Sequence, residues 1–460
     1  MKGLTKWTDT IVAIATPPGL GALGIIRLSG ATAIPLVNNL FPSKDLVAQS
    51  SHTLHVGFLK NGDIILDEVV VSLYKAPRSY TGEDIVEISC HGSPYILQQV
   101  VQACIAQGAR LATQGEFTQR AFLNNKMDLA QAEAVADLIA ADTEAMKQTA
   151  MRQLRGGFSN DLNHLREQLI NFAALIELEL DFSQEDVEFA DRTALHQLIT
   201  SLKIKIDELV QSFKLGNVIK NGVSVAIIGK PNAGKSTLLN ALLNEERAIV
   251  SDIAGTTRDT IEETLNINGV LFRLIDTAGI REHTTDVIEQ IGVGRSLAKM
   301  REANVVVYLF DVYETDAASY QLQITNLKTD NILYLPVGNK VDGLLINDLQ
   351  QKYTDDSIIY LSAKDKTNIQ QLKQALYNIA VGGNINTEST IVTNARHHAA
   401  LLKIQESLQD IDAGMQEGLT SDLLVLDIRR CLHYLGEITG RIEVDRDILG
   451  TIFGKFCIGK

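Results

Sequence analysis

The chain has 460 residues, 45% hydrophobic and 21% charged, with a net charge of −14. This is the balance of a folded protein of about three domains, not of a disordered one, and the negative charge argues against indiscriminate nucleic-acid binding. Cys90, Cys104, Cys431 and Cys457 lie far apart with no C-x-x-C spacing, which excludes an obvious zinc or disulfide framework, and no apolar run approaches the ~20 residues that span a bilayer.

Pro17-Pro18 breaks the first apolar run, and no convincing small-residue cleavage site follows. A soluble cytoplasmic protein with no membrane partner is expected. Residues 1–122 alternate short β-like runs (10–15, 24–28, 64–74, 84–89) with turns, and a helical stretch follows at 95–107. This predicts an α+β domain. Through Phe122 there are nine acidic and nine basic residues, so the whole net charge falls later. Gly19-Leu20-Gly21-Ala22-Leu23-Gly24 fits the dinucleotide fingerprint, but it runs into the strand-like Ile25-Ile26-Arg27-Leu28 instead of opening a helix. A glycine-rich hairpin is the expected structure.

From 123 to 220 the period becomes helical. Leu162, Leu165, Leu169, Leu175, Ile176 and Leu180 form one stripe; Leu195, Leu198, Ile199, Leu202, Ile206 and Leu209 form another. These read as core faces of a bundle. Between them Asp181, Glu185, Asp186, Glu188 and Asp191 read as a solvated acidic loop, not a metal site.

Residues 229–236 are Gly-Lys-Pro-Asn-Ala-Gly-Lys-Ser, between the apolar run 223–228 and the helix-like 237–243. A glycine-rich turn between strand and helix aims backbone N–H groups at a phosphate chain. Lys235 would reach the β/γ-phosphates and the Ser236 hydroxyl would bind Mg²⁺. Asn232 is either a neutral ligand for a monovalent cation or an Asx residue of the turn. Gly255-Thr256-Thr257-Arg258-Asp259 offers Thr257 to Mg²⁺ and the γ-phosphate; Asp276-Thr277-Ala278-Gly279 offers Asp276 to Mg²⁺ through water and the Gly279 N–H to the γ-phosphate. Asn268-Gly269 predicts a tight hairpin, hence one antiparallel strand beside otherwise parallel ones. Asn339-Lys340-Val341-Asp342 ends a strand-like run, and its Asp342 carboxylate can accept the guanine N1 and N2 hydrogens, which adenine does not offer. Asn339 would meet guanine N7 and tie this loop to the phosphate loop, and Ser362-Ala363-Lys364 would bring a backbone N–H to guanine O6. Ile280 occupies the place where many GTPases carry a water-orienting Gln, so Arg281, Glu282 and Glu289 become candidates for that task.

Gly382-Gly383-Asn384 marks a linker, after which helical patterns return at 395–415, 422–438 and 447–456. Neither helical piece has a second face of its own, so a nucleotide domain inserted between two halves of one bundle is expected. The expected fold is multidomain α/β and α: an N-terminal α+β domain (1–122), a helical bundle (123–220 and 381–460) and an inserted P-loop GTPase domain (221–380) with a mostly parallel sheet. The terminal Cys457-Ile458-Gly459-Lys460 fits a prenylation box poorly; Cys457 is either a reactive thiol or a packed side chain.

Over essentially its whole length the chain resembles the MnmE (TrmE) family of tRNA-modification GTPases. The resemblance is carried by Thr16-Pro17-Pro18-Gly19 with Arg27-Leu28-Ser29-Gly30, Tyr80-Thr81-Gly82-Glu83-Asp84 with His91-Gly92, the run from Gly115 to Asn124, Leu129-Ala130-Gln131-Ala132-Glu133-Ala134, the GTPase motifs and the closing Cys-Ile-Gly-Lys. It implies a potassium-activated GTPase that works as a homodimer with the flavoprotein MnmG in a heterotetrameric complex. Together they would add an aminomethyl or carboxymethylaminomethyl group to C5 of the wobble uridine (U34) of certain tRNAs, with one carbon from 5-formyltetrahydrofolate or a related tetrahydrofolate. By matching positions it implies GTP contacts from Asn232, Ala233, Gly234, Lys235, Ser236 and Thr237, from Ser251, Thr256 and Thr257, and from Asp276, Thr277, Ala278 and Gly279. The base contacts would come from Asn339, Lys340, Asp342, Ser362, Ala363 and Lys364. Mg²⁺ would bind Ser236 and Thr257; K⁺ would bind Asn232, Ser251, Ile253 and Thr256; catalysis would rest on Glu289, Lys235 and Thr257. Folate would bind Arg27, Glu87, Lys126 and Lys460. The competing expectation is a regulatory or ribosome-assembly GTPase, a switch for RNA or protein partners without modification chemistry.

Overall fold

In the computed structural model residues 8–181, 192–243, 263–275, 303–329, 332–382, 390–417 and 421–440 are described. Their contacts form two compact units, Met1–Ala136 with Gln153–Ala190 and Leu419–Lys460, and Asp137–Arg152 with Asp191–Gly418. The element order opens with β1 (Ile11–Ile14), β2 (Leu23–Ser29), α1 (Ala33–Leu40), β3 (Thr53–Asn61), β4 (Ile64–Tyr74), β5 (Ile85–His91), α2 (Pro94–Ala106), β6 (Arg110–Leu111) and α3 (Glu116–Leu123). The helices α4 (Leu129–Ile139), α5 (Glu144–Leu154), α6 (Gly157–Asp181) and α7 (Arg192–Asn221) follow. Then come β7 (Val223–Ile228), α8 (Lys235–Leu243), β8 (Glu263–Ile267), β9 (Val270–Ile275), β10 (Val305–Asp311), α9 (Ala317–Thr329), β11 (Tyr334–Asn339), α10 (Ile346–Tyr353), β12 (Ile359–Leu361), α11 (Ile369–Val381), α12 (Ala395–Gln416) and α13 (Ser421–Thr439).

In the first unit six strands make one sheet in the order β3-β4-β5-β2-β1-β6, antiparallel except for the parallel pair β1–β6. Strand alternation sorts its faces. Ile26 and Leu28 of β2 and Val86, Ile88 and Cys90 of β5 are buried in one core with residues of α1 and α2. Arg27, Glu87 and Ser89 occupy the alternate positions. The glycine-rich residues 19–22 join β1 to its antiparallel neighbour β2 and open no helix, so this segment is a hairpin connection and not a dinucleotide fingerprint. In strand β3, which the sequence reading did not single out, Leu54 and Val56 are exposed while His55 and Leu59 are buried. Later in this unit α6 packs against α13.

In the second unit the order is β12-β11-β10-β7-β9-β8. All pairs are parallel except β8–β9, the hairpin turned by Asn268 (φ +50°) and Gly269 (φ +85°). Every residue of β10 is buried, as expected of a central parallel strand covered on both faces. One face packs on Leu238 and Leu242 of α8 with Leu372 and Leu376 of α11; the other packs on Tyr320 and Ile324 of α9 with Tyr353 of α10. The six stripe residues expected from Leu195 to Leu209 are all buried. The paired helices α7 and α12 are also joined by Lys203 Nζ to Asp412 Oδ2 at 2.7 Å and by Gln405 Nε2 to Asp207 Oδ1 at 2.6 Å. Among the described residues no helix is long and apolar enough to cross a membrane. Glu185, Asp186, Glu188 and Asp191 of the acidic loop, the Gly383-Asn384 part of the linker and the expected helix at 447–456 lie outside the described residues.

Candidate nucleotide site and a second polar site

The phosphate-loop segment leaves β7 and ends where Lys235 starts α8. Its backbone is shaped by residues that tolerate unusual torsions: Asn232 has φ +64° and Gly234 has φ +96°. Asn is one of the few side-chain-bearing residues that visit this region readily. A Cβ on Gly229 would collide with the carbonyl oxygen of Leu309, and one on Gly234 with Nδ2 of Asn339. Lys235 Nζ donates to the carbonyls of Gly229 (2.8 Å) and Lys230 (3.0 Å), which stations its charge inside the loop. Ser236 and Thr237 are exposed on the first turn of α8, where unpaired helix N–H groups favour an anion. Ser236 and Lys235 line one small cavity with Ile227, Leu239 and Ile275, so the end of β9, the residue before Asp276, borders the phosphate loop.

Asn339 joins three of the sequence motifs. Its side chain is 2% exposed; Nδ2 donates to the Ala233 carbonyl at 2.8 Å, and Oδ1 accepts from the Ala363 N–H at 3.0 Å. The segment Ser362-Ala363-Lys364, expected to bring a backbone N–H to guanine O6, is thus held at its Ala363 N–H by the asparagine expected at N7. Lys340 (φ +69°) pairs with Asp311 Oδ2 at 2.7 Å, and the Asp311 side chain is almost fully buried at the end of β10. The Asp342 carboxyl lies below its ordinary value, chiefly through a hydrogen bond from Ser362, with Lys364 adding its charge. A carboxylate ionised at neutral pH and exposed on the loop after β11 is the acceptor that a guanine N–H edge needs. Lys364 itself is exposed. This loop set fits a nucleotide and its Mg²⁺: two positions are cleared of side chains, a lysine is stationed, and a hydroxyl is exposed at a helix start. Ser251, Ile253, Thr256, Thr257, Asp276, Thr277, Ala278, Gly279, Arg281, Glu282 and Glu289 lie outside the described residues.

In the first unit Arg27 and Glu87 are cross-strand neighbours on β2 and β5. Arg27 Nε and Nη2 donate to the same oxygen, Glu87 Oε1, at 2.8 and 2.7 Å. Lys126 Nζ donates to the Pro77 carbonyl at 3.0 Å. Lys460 and Cys457 lie outside the described residues. What sequence reading missed is the buried charge network beneath these residues. Arg120, with no exposed side-chain surface, donates to the Asp9 carbonyl (2.9 Å), Asp9 Oδ1 (2.8 Å), Glu83 Oε2 (3.2 Å) and Glu116 Oε1 (3.0 Å). Burial alone would raise the Glu116 carboxyl; bonds from Arg110, the Thr113 N–H and Arg120 hold it below its ordinary value. The available signal was a strongly charged cluster inside otherwise apolar motifs, Glu83, Glu116 and Arg120, which is rare in a core unless paired.

Residues 10–126 match the family model of the GTP-binding protein TrmE N-terminus, and residues 129–457 match that of the MnmE helical domain. The chain belongs to the MnmE family of tRNA modification GTPases. It is 54% identical over 457 residues to the tRNA modification GTPase MnmE of Cytophaga hutchinsonii, covering 99% of each chain. To the MnmE of Flavobacterium psychrophilum it is 52% identical, covering 98% of this chain and 99% of the relative. Among solved structures, a variant of Aquifex aeolicus Era bound to GDP and AlF4⁻ is 29% identical, covering 40% of this chain and 66% of that one, with a TM-score of 0.28. As an MnmE family member the chain is a GTP hydrolase of tRNA modification, built from an N-terminal α+β domain, a helical domain and a P-loop GTPase domain.

Proposed function

We propose that this GTPase is activated by potassium and, as a homodimer in a heterotetrameric complex with the flavoprotein MnmG, adds an aminomethyl or carboxymethylaminomethyl group to C5 of U34 in certain tRNAs. The carbon would come from 5-formyltetrahydrofolate or a related tetrahydrofolate, and the work would be done in the cytoplasm. The domain limits proposed are 1–122, 123–220, 221–380 and 381–460, the G domain being inserted between two halves of the helical domain. The observation that carries the nucleotide part is the Asn339 link between Ala233 and Ala363, which ties the phosphate loop to both base-reading loops. Lys235 would meet the β- and γ-phosphates, Ser236 and Thr257 would hold Mg²⁺, and Asn232 with Ser251, Ile253 and Thr256 would hold K⁺. Bound cations supply charge that opposes the charge developing on the transferred phosphoryl group. Ile280 cannot orient the water; by the family resemblance Glu289 would, with Glu282 as the alternative.

For the folate part the support is chemical fit. Glu87 keeps Oε2 without a protein partner among the described residues, a free acceptor for pterin N–H groups. Lys126 carries a charge suited to a carboxylate. The deciding experiment is nucleoside analysis of tRNA from a strain lacking this chain. Loss of the C5 modification at U34, restored by the parent gene, is the expected result; unchanged nucleosides would leave a GTPase switch without modification chemistry.

A further inference from the structure

Between β10 and α9 the chain runs beside the loop that follows β11, and the two loops are locked together. Asp311 ends β10, and only 6% of its side chain is exposed. Its Oδ1 accepts from the Tyr313 N–H at 2.9 Å, and its Oδ2 from Lys340 Nζ at 2.7 Å. The Val312 N–H donates to the Asn339 carbonyl at 3.2 Å, and the Tyr313 hydroxyl to the Asp342 carbonyl at 3.3 Å. From the other side α10 holds this loop. Lys352 Nζ donates to the Val312 carbonyl at 2.8 Å, and the Tyr353 hydroxyl to the carbonyls of Val312 (3.2 Å) and Thr315 (2.8 Å). The Asp311 carboxylate is thus fixed, and the lysine comes to it. Lys340 does so at φ +69°, a backbone region that a residue with a Cβ keeps only where its surroundings hold it. A second carboxylate competes for the same ammonium: Asp342, two residues on and exposed, adds its charge without a direct bond. A lysine paired with Asp342 would neutralise the carboxylate expected to accept the guanine N1 and N2 hydrogens, and would put donors where the base brings its own.

We propose that Asp311 is a positioning residue for base selection: by holding the Lys340 ammonium at the end of β10 it keeps the Asp342 carboxylate open to the hydrogens of guanine. The inference rests on the guanine reading of Asp342. Released from Asp311, the ammonium is drawn to Asp342, where it opposes the N–H edge of guanine and offers a donor to the C2 oxygen of xanthine. Asp311 touches neither base nor phosphate in this account; it acts through Lys340.

The test uses the full chain and competition binding of GDP and XDP, which differ in the base alone and are not hydrolysed. The parent should prefer GDP by about a hundredfold or more, the worth of two hydrogen bonds to a charged group. Asp311→Asn keeps an acceptor for the Tyr313 N–H but loses the charge, and should cut that preference by about tenfold or more. Asp311→Ser should do the same, so the outcome does not hang on the folding of one variant. Adding Lys340→Met to Asp311→Asn removes the released ammonium. The preference should then return to within about threefold of the parent, which a merely structural role for Asp311 would not allow. Tyr313→Phe removes a bond of the same loop but no charge, and should keep the parent preference. A parent-like preference in Asp311→Asn would overturn the assignment, as would a loss that persists in the double variant or that Tyr313→Phe reproduces. A parent chain that binds GDP and XDP alike would sink the guanine reading of Asp342 itself, an outcome distinct from the failure of Asp311.

Discussion

Replacing Asn339 by Ala should uncouple the phosphate loop from the base-reading loops. The side chain is 2% exposed and satisfies two backbone groups, the Ala233 carbonyl at 2.8 Å and the Ala363 N–H at 3.0 Å. Each buried polar group left without a partner costs about 1–3 kcal/mol. Partial entry of water would relieve some of that, so about 2–4 kcal/mol is expected in total. Expressed in nucleotide affinity, this is a loss of roughly 30- to 1,000-fold. Titration with a fluorescent guanine nucleotide reads the affinity, and amide exchange of residues 233–238 and 361–363 reads the loosening. Gly234→Ala should reproduce the defect, because the added Cβ would take the place of Asn339 Nδ2. An Asn339→Ala protein that binds within threefold of the parent, with unchanged exchange, would refute the bridging role.

Asp342→Asn should turn the preference from guanine to xanthine, with GTP binding weakened by about tenfold or more, as expected for a hydrogen bond to a charged group; competition binding with the two triphosphates checks this, and undiminished GTP affinity would defeat the base assignment. Turnover should be faster in KCl than in equal NaCl, and Asn232→Gly, which accepts the φ of +64° without strain, should erase the difference; a parent enzyme equally fast in both salts removes the cation argument. The Glu116 carboxyl is held below its ordinary value in the folded protein, so its stabilisation is complete above the unfolded carboxylate range and disappears as pH falls through the lower native value. Acid unfolding followed by circular dichroism should therefore lose part of its pH dependence below about pH 4 in Glu116→Gln; identical acid limbs would show that Glu116 is not a contributor.

The G domain was legible because its chemistry is local. A strand, a glycine turn and a helix start are consecutive from Val223 to Leu243, and each imposes its own pattern of residue types. The two loops that Asn339 joins could be placed for the same reason, one at the end of β11 and the other just after β12. In the N-terminal unit β5 could be read from its alternation, whereas β3 was not singled out; its alternation in any case does not say which set faces inward, and Leu54 and Val56 prove to be exposed. Of the charge network the sequence displays the members but not their pairing. Arg120 and Asp9 lie 111 positions apart, and no periodicity links one guanidinium to carboxylates in two other segments.

The same contrast changes how the glycines of the phosphate loop are understood. Sequence reading assigns such glycines to the approach of phosphate, a ligand contact. Gly234 has a second task that no local pattern shows: its missing Cβ leaves the space taken by Nδ2 of Asn339, which bonds to Ala233 across 106 positions of chain. The phosphate-loop segment and the loop after β11 are thus fitted to each other through one absent methyl group. Affinity for the triphosphate and selectivity for the base should then fall together when that fit is lost, and a Gly234→Ala protein that keeps guanine selectivity while losing phosphate affinity would separate what this geometry joins.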